Sequence, residues 1–339
     1  MRPRYSSADA VELLDSTNYI LDHMSVSFGG DEVMSTRGTT NTLTFQRVLF
    51  AEGKTGSLFG DSNDPTLSRD MTFHHNAFYN ITHRHPNMHA RGRVDHYNNV
   101  VFNWRFRWSV VIGEVALNHV NNYYSRGCLS SVSGQNSFNK IFYRDTYEPT
   151  LHSAGNLVVP EFLTDPSADN SVLWNWRVDV TSGPYAGALA NTQLTTDYFV
   201  PDRLELLGPP AIVSTAQDAF DDVRADVGAN ARVDENGDVF PEVDALDAFY
   251  LQGISGGGCV EYQSSSQGQD FDQTTHYQAF HDSVSSTPLA THTYVISSPD
   301  GIPDAWKTAR GFDATDDLTA HVWPSGYVGV EEYVNAVDR

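Results

Sequence analysis

Residues Met71 to Tyr124 read MTFHHNAFYNITHRHPNMHARGRVDHYNNVVFNWRFRWSVVIGEVALNHVNNYY, and this stretch decides the fold. Asn98-Asn99 and Asn121-Asn122 stand twenty-three residues apart, and Arg144-Asp145 falls at the next interval. Counting back by a similar step reaches His75-Asn76; slightly longer steps reach Arg47-Val48 and His23-Met24. The text around each pair is alike: YILDHMSVSF, LTFQRVLFAE, MTFHHNAFYN, VDHYNNVVFN, LNHVNNYYSR, KIFYRDTYEP. Apolar and polar residues alternate with period two, and β-branched and aromatic residues abound, which predicts strand, turn, strand. One such unit every twenty-odd residues is the signature of a solenoid. Strands stacked in register bring Asn76, Asn99 and Asn122 above one another, where their amides can hydrogen-bond along the stack. The regular leucine spacing of a leucine-rich repeat is missing. The expected fold is therefore all-β, a right-handed parallel β-helix.

The chain starts abruptly, since Asp9–Leu13 and Tyr19–Phe28 already read as strands. An uncapped solenoid end exposes strand edges, so N-terminal coils are expected to be missing, or the start to be an internal methionine. The β-helix is expected over 1–213, with turn-rich loop insertions at 150–210. An irregular, partly helical C-terminal extension is expected over 214–339. Within it, Ser214–Val227 has helical spacing, with Ala216, Phe220, Val223 and Val227 on one face and Ser214 as N-cap. Gly253–Gln269 reads as a low-complexity link. In the tail, Trp306, Phe312, Trp323 and Tyr327 are expected to dock onto the body.

With 339 residues, 40% of them hydrophobic and 12% aromatic, the chain can bury a large core. No window approaches a membrane-spanning apolar run, and Met1-Arg2-Pro3-Arg4 is not followed by a signal-peptide core. The two cysteines, Cys128 and Cys259, leave pairing and free thiols both open. The formal charge is −22, and the lysines are Lys54, Lys140 and Lys307 alone. Such a surface repels itself in dilute buffer, and salt screens the repulsion. It suits an acidic secreted enzyme or a protein of a high-salt organism. The charge is uneven, because Arg84, Arg91, Arg93, Arg105 and Arg107 fall between Met71 and Gly113 against the single acid Asp95. A basic patch on an acidic body suggests an anionic ligand held in one place, and argues against a nucleic-acid partner.

An ordered set of motifs resembles the polysaccharide lyase family that contains bacterial and fungal pectate lyases. The matching stretches are Ile20-Leu21-Asp22-His23, Asp31-Glu32, Lys54 followed by Gly60-Asp61, His74-His75-Asn76, Arg84-His85-Pro86 and Val94–Asn103. The tail run Asp300-Gly301-Ile302-Pro303-Asp304-Ala305-Trp306, with Gly326-Tyr327 and Glu332-Tyr333-Val334-Asn335, resembles the C-terminus of bacterial members. The resemblance implies secretion, a monomer with no membrane partner, and cleavage of α-1,4-polygalacturonate by β-elimination. In that reaction a base removes the proton α to a uronate carboxylate, and the glycosidic oxygen leaves. The proton is labile only when the carboxylate charge is neutralised, so the site needs cations, here Ca2+ and basic side chains.

On the matching positions, Arg84 in Arg-x-Pro takes the place of the family's catalytic arginine, assigned as the proton acceptor. A guanidinium is protonated at ordinary pH. Either neighbouring cations depress its pKa, or it stabilises the enolate-like intermediate while another group takes the proton. The plainer reading is an arginine paired with an acid at a coil edge. Lys54 matches the carboxylate-binding lysine. The second arginine's position holds His89, and a one-residue insertion would bring Arg91 there instead. Asp9 and Asp31 match two calcium ligands, the third place holds Ser35, and Glu32 could compensate. The stretch Asp234–Asp238 and Asp300–Asp304 only faintly suggest further calcium loops. For His23, His74, His75 and His96, stacking is the default reading. The rival readings are a β-helix hydrolase with paired acids, a non-catalytic polysaccharide-binding protein or adhesin, and an inactive lyase fragment.

Overall fold

The computed structural model describes residues 8–53, 55–61, 64–128, 130, 139–142, 149–160, 162–176, 198–207, 213–257 and 294–338. They fall into two compact units, one of 1–228 with 246–277 and the other of 229–245 with 278–339.

The first unit is a parallel β-helix. Each coil contributes one strand to each of three parallel sheets. Sheet A runs through Val11–Leu14, Glu32–Arg37, Thr55–Phe59, Asn87–His89, Val110–Ile112, Asn139–Phe142 and Trp174–Trp176. Sheet B stacks Thr17–Asp22, Thr40–Gln46, Ser68–His74, Gly92–Tyr97, Val115–Val120 and Thr150–Ala154. Sheet C stacks the short strands Ser25–Ser27, Leu49–Ala51, Ala77–Tyr79, Val100–Phe102, Tyr123–Ser125 and Leu157–Val159. Register is constant: Val94 pairs with Leu117, and Val100 with Tyr123. Like side chains therefore stack inside, as Phe45 does on Phe73 (5.0 Å between centroids) and Phe50 on Phe78 (4.7 Å).

The repeated pairs noticed in the sequence are the two-residue turns from sheet B to sheet C. The first member takes the left-handed conformation in His23, Arg47, His75, Asn98 and Asn121 (φ 47–55°). The second member points inward. The asparagine ladder runs further than the repeat suggested, because each amide donates to the next oxygen: Asn76 to Asn99 (2.9 Å), Asn99 to Asn122 (3.0 Å), Asn122 to Asn156 (2.8 Å) and Asn156 to Asn170 (2.7 Å). All are buried, and each unmade bond would cost about 1–3 kcal/mol. Arg144-Asp145 lies outside the described residues. The next turn in the described stack is Gly155-Asn156, thirty-four residues after Asn122, because the coil that follows Ser125 is enlarged.

Sheet C is apolar on both faces, and helices cover its outer one. Helix α1 (Ala216–Ala225) buries Ala216, Ala219 and Val223, with Phe220 on Tyr123 at 4.2 Å. Its N-cap is Thr215, whose hydroxyl accepts from the Asp218 amide, one residue beyond the expected Ser214. Ser214 is instead held by its backbone, since its carbonyl accepts from Asn98 and Asn121 Nδ2. Helix α2 (Ala245–Gln252) adds Tyr250, which meets Tyr79 at 4.8 Å. Gly253 follows so close to Tyr79 that a Cβ there would lie 2.6 Å from its ring, so the supposed link begins as packed chain. Because α1 and α2 complete sheet C, the first unit extends past residue 213. Cys128 is disulfide-bonded, and Cys259 is outside the described residues.

The second unit has its own small core of Ile302, Trp306, Leu318 and Tyr333, joined by Val233, Phe312 and Trp323. Helices α3 (Asp304–Ala309) and α4 (Gly329–Val334) supply most of it, beside an antiparallel pair, Ala231–Val233 and Val239–Pro241. Three of the tail aromatics named in the sequence thus pack on one another, and Tyr327 is 41% exposed. The stretch Asp234–Asp238 is the hairpin turn, with the Asp234 carboxylate accepting from the Asn236 and Asp238 amides. Among the described residues, no helix is long and apolar enough to cross a membrane.

Candidate active site

The turns leading from sheet C into sheet A are longer than the B–C turns, and they carry the candidate residues. Asp9, Asp31 and Arg84 each stand just before a sheet A strand, in the same turn of different coils. Lys54 lies in that turn by sequence and is outside the described residues. The stack thereby converts spacings of twenty to thirty residues into neighbourhood along one groove.

At one end of the groove, carboxylate oxygens of Asp9, Asp31 and Glu32 lie within 4.8 Å of one another. Asp9 accepts from the Glu32 amide (3.0 Å) and from the Ser35 hydroxyl. Ser35 thus joins the cluster as a donor to Asp9. The pocket around them is about 290 Å³ and is also lined by Glu12, Thr36 and Asp61. A hard divalent cation takes oxygens at about 2.3–2.6 Å, so three carboxylates at this spacing fit one calcium ion.

Arg84 closes the cluster. Its guanidinium pairs with Glu32, whose side chain is 7% exposed against 25% for Arg84. The arginine is held by its backbone: the Ser57 amide donates to the Arg84 carbonyl at 2.9 Å, and the Gly56 amide to His83 at 2.8 Å. A Cβ on Gly56 would meet that Arg84 carbonyl at 2.0 Å, so only glycine lets the two coils approach. His85 anchors the other side, with both ring nitrogens 3.1 Å from carbonyls, those of Ile81 and Trp108. Burial pushes its pKa down to about 4, against the pull of those carbonyls. The φ of +70° at Arg84 is no mark of special strain, because thirteen other non-glycine residues among those described share that conformation.

The remaining candidates are placed differently. His89 ends the strand Asn87–His89 and is buried at 5% exposure. Arg91 follows it, in the turn from sheet A to sheet B, where Nε meets Glu114 at 3.2 Å. The groove turn does not include it. The apparent basic patch is thus divided, and its one internal acid, Asp95, is buried, raised in pKa by that burial, and bound to Asn118 and the Leu207 amide. Two further arginines follow in the stack. Arg105 and Arg107 occupy the next C-to-A turn, bonded to the Arg84 coil through the Arg105 amide and Thr82 carbonyl. Their spacing of twenty-one and twenty-three residues after Arg84 was the available signal.

Fold and groove define a lateral-groove β-helix protein with carboxylates and arginine at one site. Residues 5–197, more than half of the chain, match the sequence model of the pectate lyases, and the chain belongs to that family. A probable pectate lyase C of Aspergillus terreus is 25% identical over 343 residues, covering 98% of this chain and 68% of that protein. One from Emericella nidulans is 28% identical over 152 residues, 42% of this chain and 34% of its own length. This chain thus spans about a third of the latter relative. Among solved structures, a Bacillus sp. N165 pectate lyase in complex with trigalacturonate superposes with a TM-score of 0.42 at 19% identity, covering 67% of this chain and 64% of that one.

Proposed function

We propose that this chain cleaves polygalacturonate by calcium-assisted β-elimination. The observation that carries the reading is Glu32, which belongs at once to the three-carboxylate cluster and to the Arg84 ion pair. A reaction that must neutralise a uronate carboxylate and remove the proton beside it needs cationic charge at one point. Asp9, Asp31 and Glu32 would hold calcium, which supplies that charge to the substrate carboxylate when bound. Ser35 positions Asp9. Arg105 and Arg107 extend the cationic wall along an acidic polymer, and Lys54 has the role its matching position implies.

Arg84 acts on the proton α to the carboxylate. A guanidinium carries its proton at ordinary pH, so Arg84 brings positive charge to the enolate-like intermediate while another group takes the proton. The test is polygalacturonate with calcium, followed by the ultraviolet absorbance of unsaturated ends. Absorbance that appears with calcium and vanishes on chelation is expected. Reducing ends without unsaturation would point to hydrolysis, and neither product from folded protein would leave a binding protein or an inactive fragment.

A further inference from the structure

The B-to-C turns carry a second cluster of chemistry-bearing side chains, separate from the groove. His74 ends its strand, and His75 takes the left-handed position after it. Their Nδ1 atoms are 3.0 Å apart, with the rings at 88° to one another. Both line a cleft of about 500 Å³ between this ridge and α1, with Gln46, Arg47, Asp218 and Asp222.

Two ring nitrogens this close form a hydrogen bond, or the two arms of a chelate. With metal–nitrogen distances of about 2.0–2.1 Å, a right-angled bite puts the nitrogens about 2.9 Å apart and a tetrahedral one about 3.3 Å apart. The observed separation matches the right angle, which belongs to tetragonal Cu2+ or Ni2+ rather than to tetrahedral Zn2+. Convergence of the lone pairs requires the rings to turn about χ2, a broad torsion, against the stacking of His74 on Tyr97 at 5.2 Å. Chelation requires each proton to sit on Nε2. For His75 the nearest carboxylate oxygen is Asp222 Oδ2, which accepts from Arg47 and lies 3.6 Å from Nε2, so a small shift would make it the outer carboxylate of a ligating imidazole. The facing charges are mixed: Arg47 pairs with Asp222 (3.2 Å) and Asp226 (2.9 Å) while its charge still bears on both rings, and Asp218 and Asp22 add negative charge nearby. Burial first, then the neighbouring cationic charge, keeps His74 and His75 neutral down to about pH 3 and 4 respectively, so protons do not compete near neutrality.

We propose that His74 and His75 form a bidentate site for a tetragonal transition-metal ion, Cu2+ or Ni2+, reached through the cleft beside α1 and steadied by Asp222. The proposal stands apart from the groove and from lyase activity. The test uses the tag-free full chain in calcium, titrated with Cu2+ by calorimetry and examined by electron paramagnetic resonance. One Cu2+ per chain is expected, with superhyperfine splitting from two imidazole nitrogens. His74→Gln and His75→Gln should each remove one nitrogen and weaken binding beyond the roughly 10- to 100-fold of an outer-shell change such as Asp222→Asn. A spectrum of oxygen ligands alone, or affinity untouched in both histidine variants, overturns the site. If either variant fails to fold, the nitrogen count in the unaltered protein decides.

Discussion

Two places in this protein gather oxygen atoms around a cation, and they do it in opposite ways. In the second unit, Lys307 is fully buried, and its ammonium sits 2.7 Å from Ser298 Oγ, 3.2 Å from the Asp316 carbonyl and 3.5 Å from Asp300 Oδ1. Asp300 is committed elsewhere too, accepting from the Leu318 and Ile302 amides. Burial alone would raise its pKa, yet the Ser298 and backbone hydrogen bonds and the Lys307 charge hold it below the usual carboxylate range. Here the chain supplies its own cation on a short tether. In the groove, three carboxylates lie together, and Arg84 from another coil pairs with one of them. The first arrangement is closed and structural. On the proposed reading, the three carboxylates of the second would also hold an ion from outside.

The sharpest way to break this contrast is to remove each cation. Arg84→Ala should lower elimination by about a thousandfold, as loss of a charge aimed at the reacting centre does, and should destabilise the first unit by about 3 kcal/mol, since it strands buried Glu32. A variant that keeps most of its turnover would reduce Arg84 to a coil-edge ion pair. Lys307→Met should leave turnover alone and destabilise the second unit by about 3 kcal/mol, since it strands buried Asp300. Hydrogen exchange at the Leu318 and Ile302 amides reads that loss locally. Calcium at a hundredfold excess over its Kd should stabilise the first unit by about 2.7 kcal/mol and leave exchange in the second unchanged. Protection gained in both units would mean that Lys307 does not fill its cage.

The smallest expected effect concerns pH and the seat of α1. Burial would depress His23, but the Asp22 and Asp226 carboxylates outweigh it and lift its pKa to about 9. A raised folded-state pKa means that this pairing contributes fully below about pH 6.5 and is lost as pH climbs through 9. His74 and His75 are lowered, so their contribution is present above about pH 6.5 and fades as pH falls towards 4 and below. Protection of the α1 amides should therefore peak between those limits. The alkaline loss should be about 1 kcal/mol, because Asp226 is 44% exposed and solvent screens the pair. A monotonic profile would show that neither set of imidazoles governs the helix.

What was legible in the sequence was whatever the coil period repeats. The pairs ending in Asn76, Asn99 and Asn122 disclosed turn, strand and ladder together, because an inward amide at a fixed place is a local demand. The rung at Asn156 was hidden once the enlarged coil broke the count. Arg84, Asp9 and Asp31 stood out through family resemblance, and their shared turn followed from the period. The Glu32–Arg84 pair was left among the open readings, because no pattern tells which carboxylate an arginine fifty-two residues away will choose. Asp222 and Asp226 reach Arg47 and His23 across still longer separations. Lys307 looked like one of three scarce surface lysines, and its burial depends on the fold of a unit whose calcium-loop pattern is mostly erased.

The amide ladder makes no demand on how much chain lies between its rungs. Asn76, Asn99, Asn122, Asn156 and Asn170 are separated by twenty-three, twenty-three, thirty-four and fourteen residues, yet each bonds to the next in the same manner. The stack counts turns and is indifferent to residues. Excursions of any size can leave one coil and return to the next without disturbing the spine, so new surface along the groove can be added by lengthening a loop while the buried thread of asparagines keeps the coils in step.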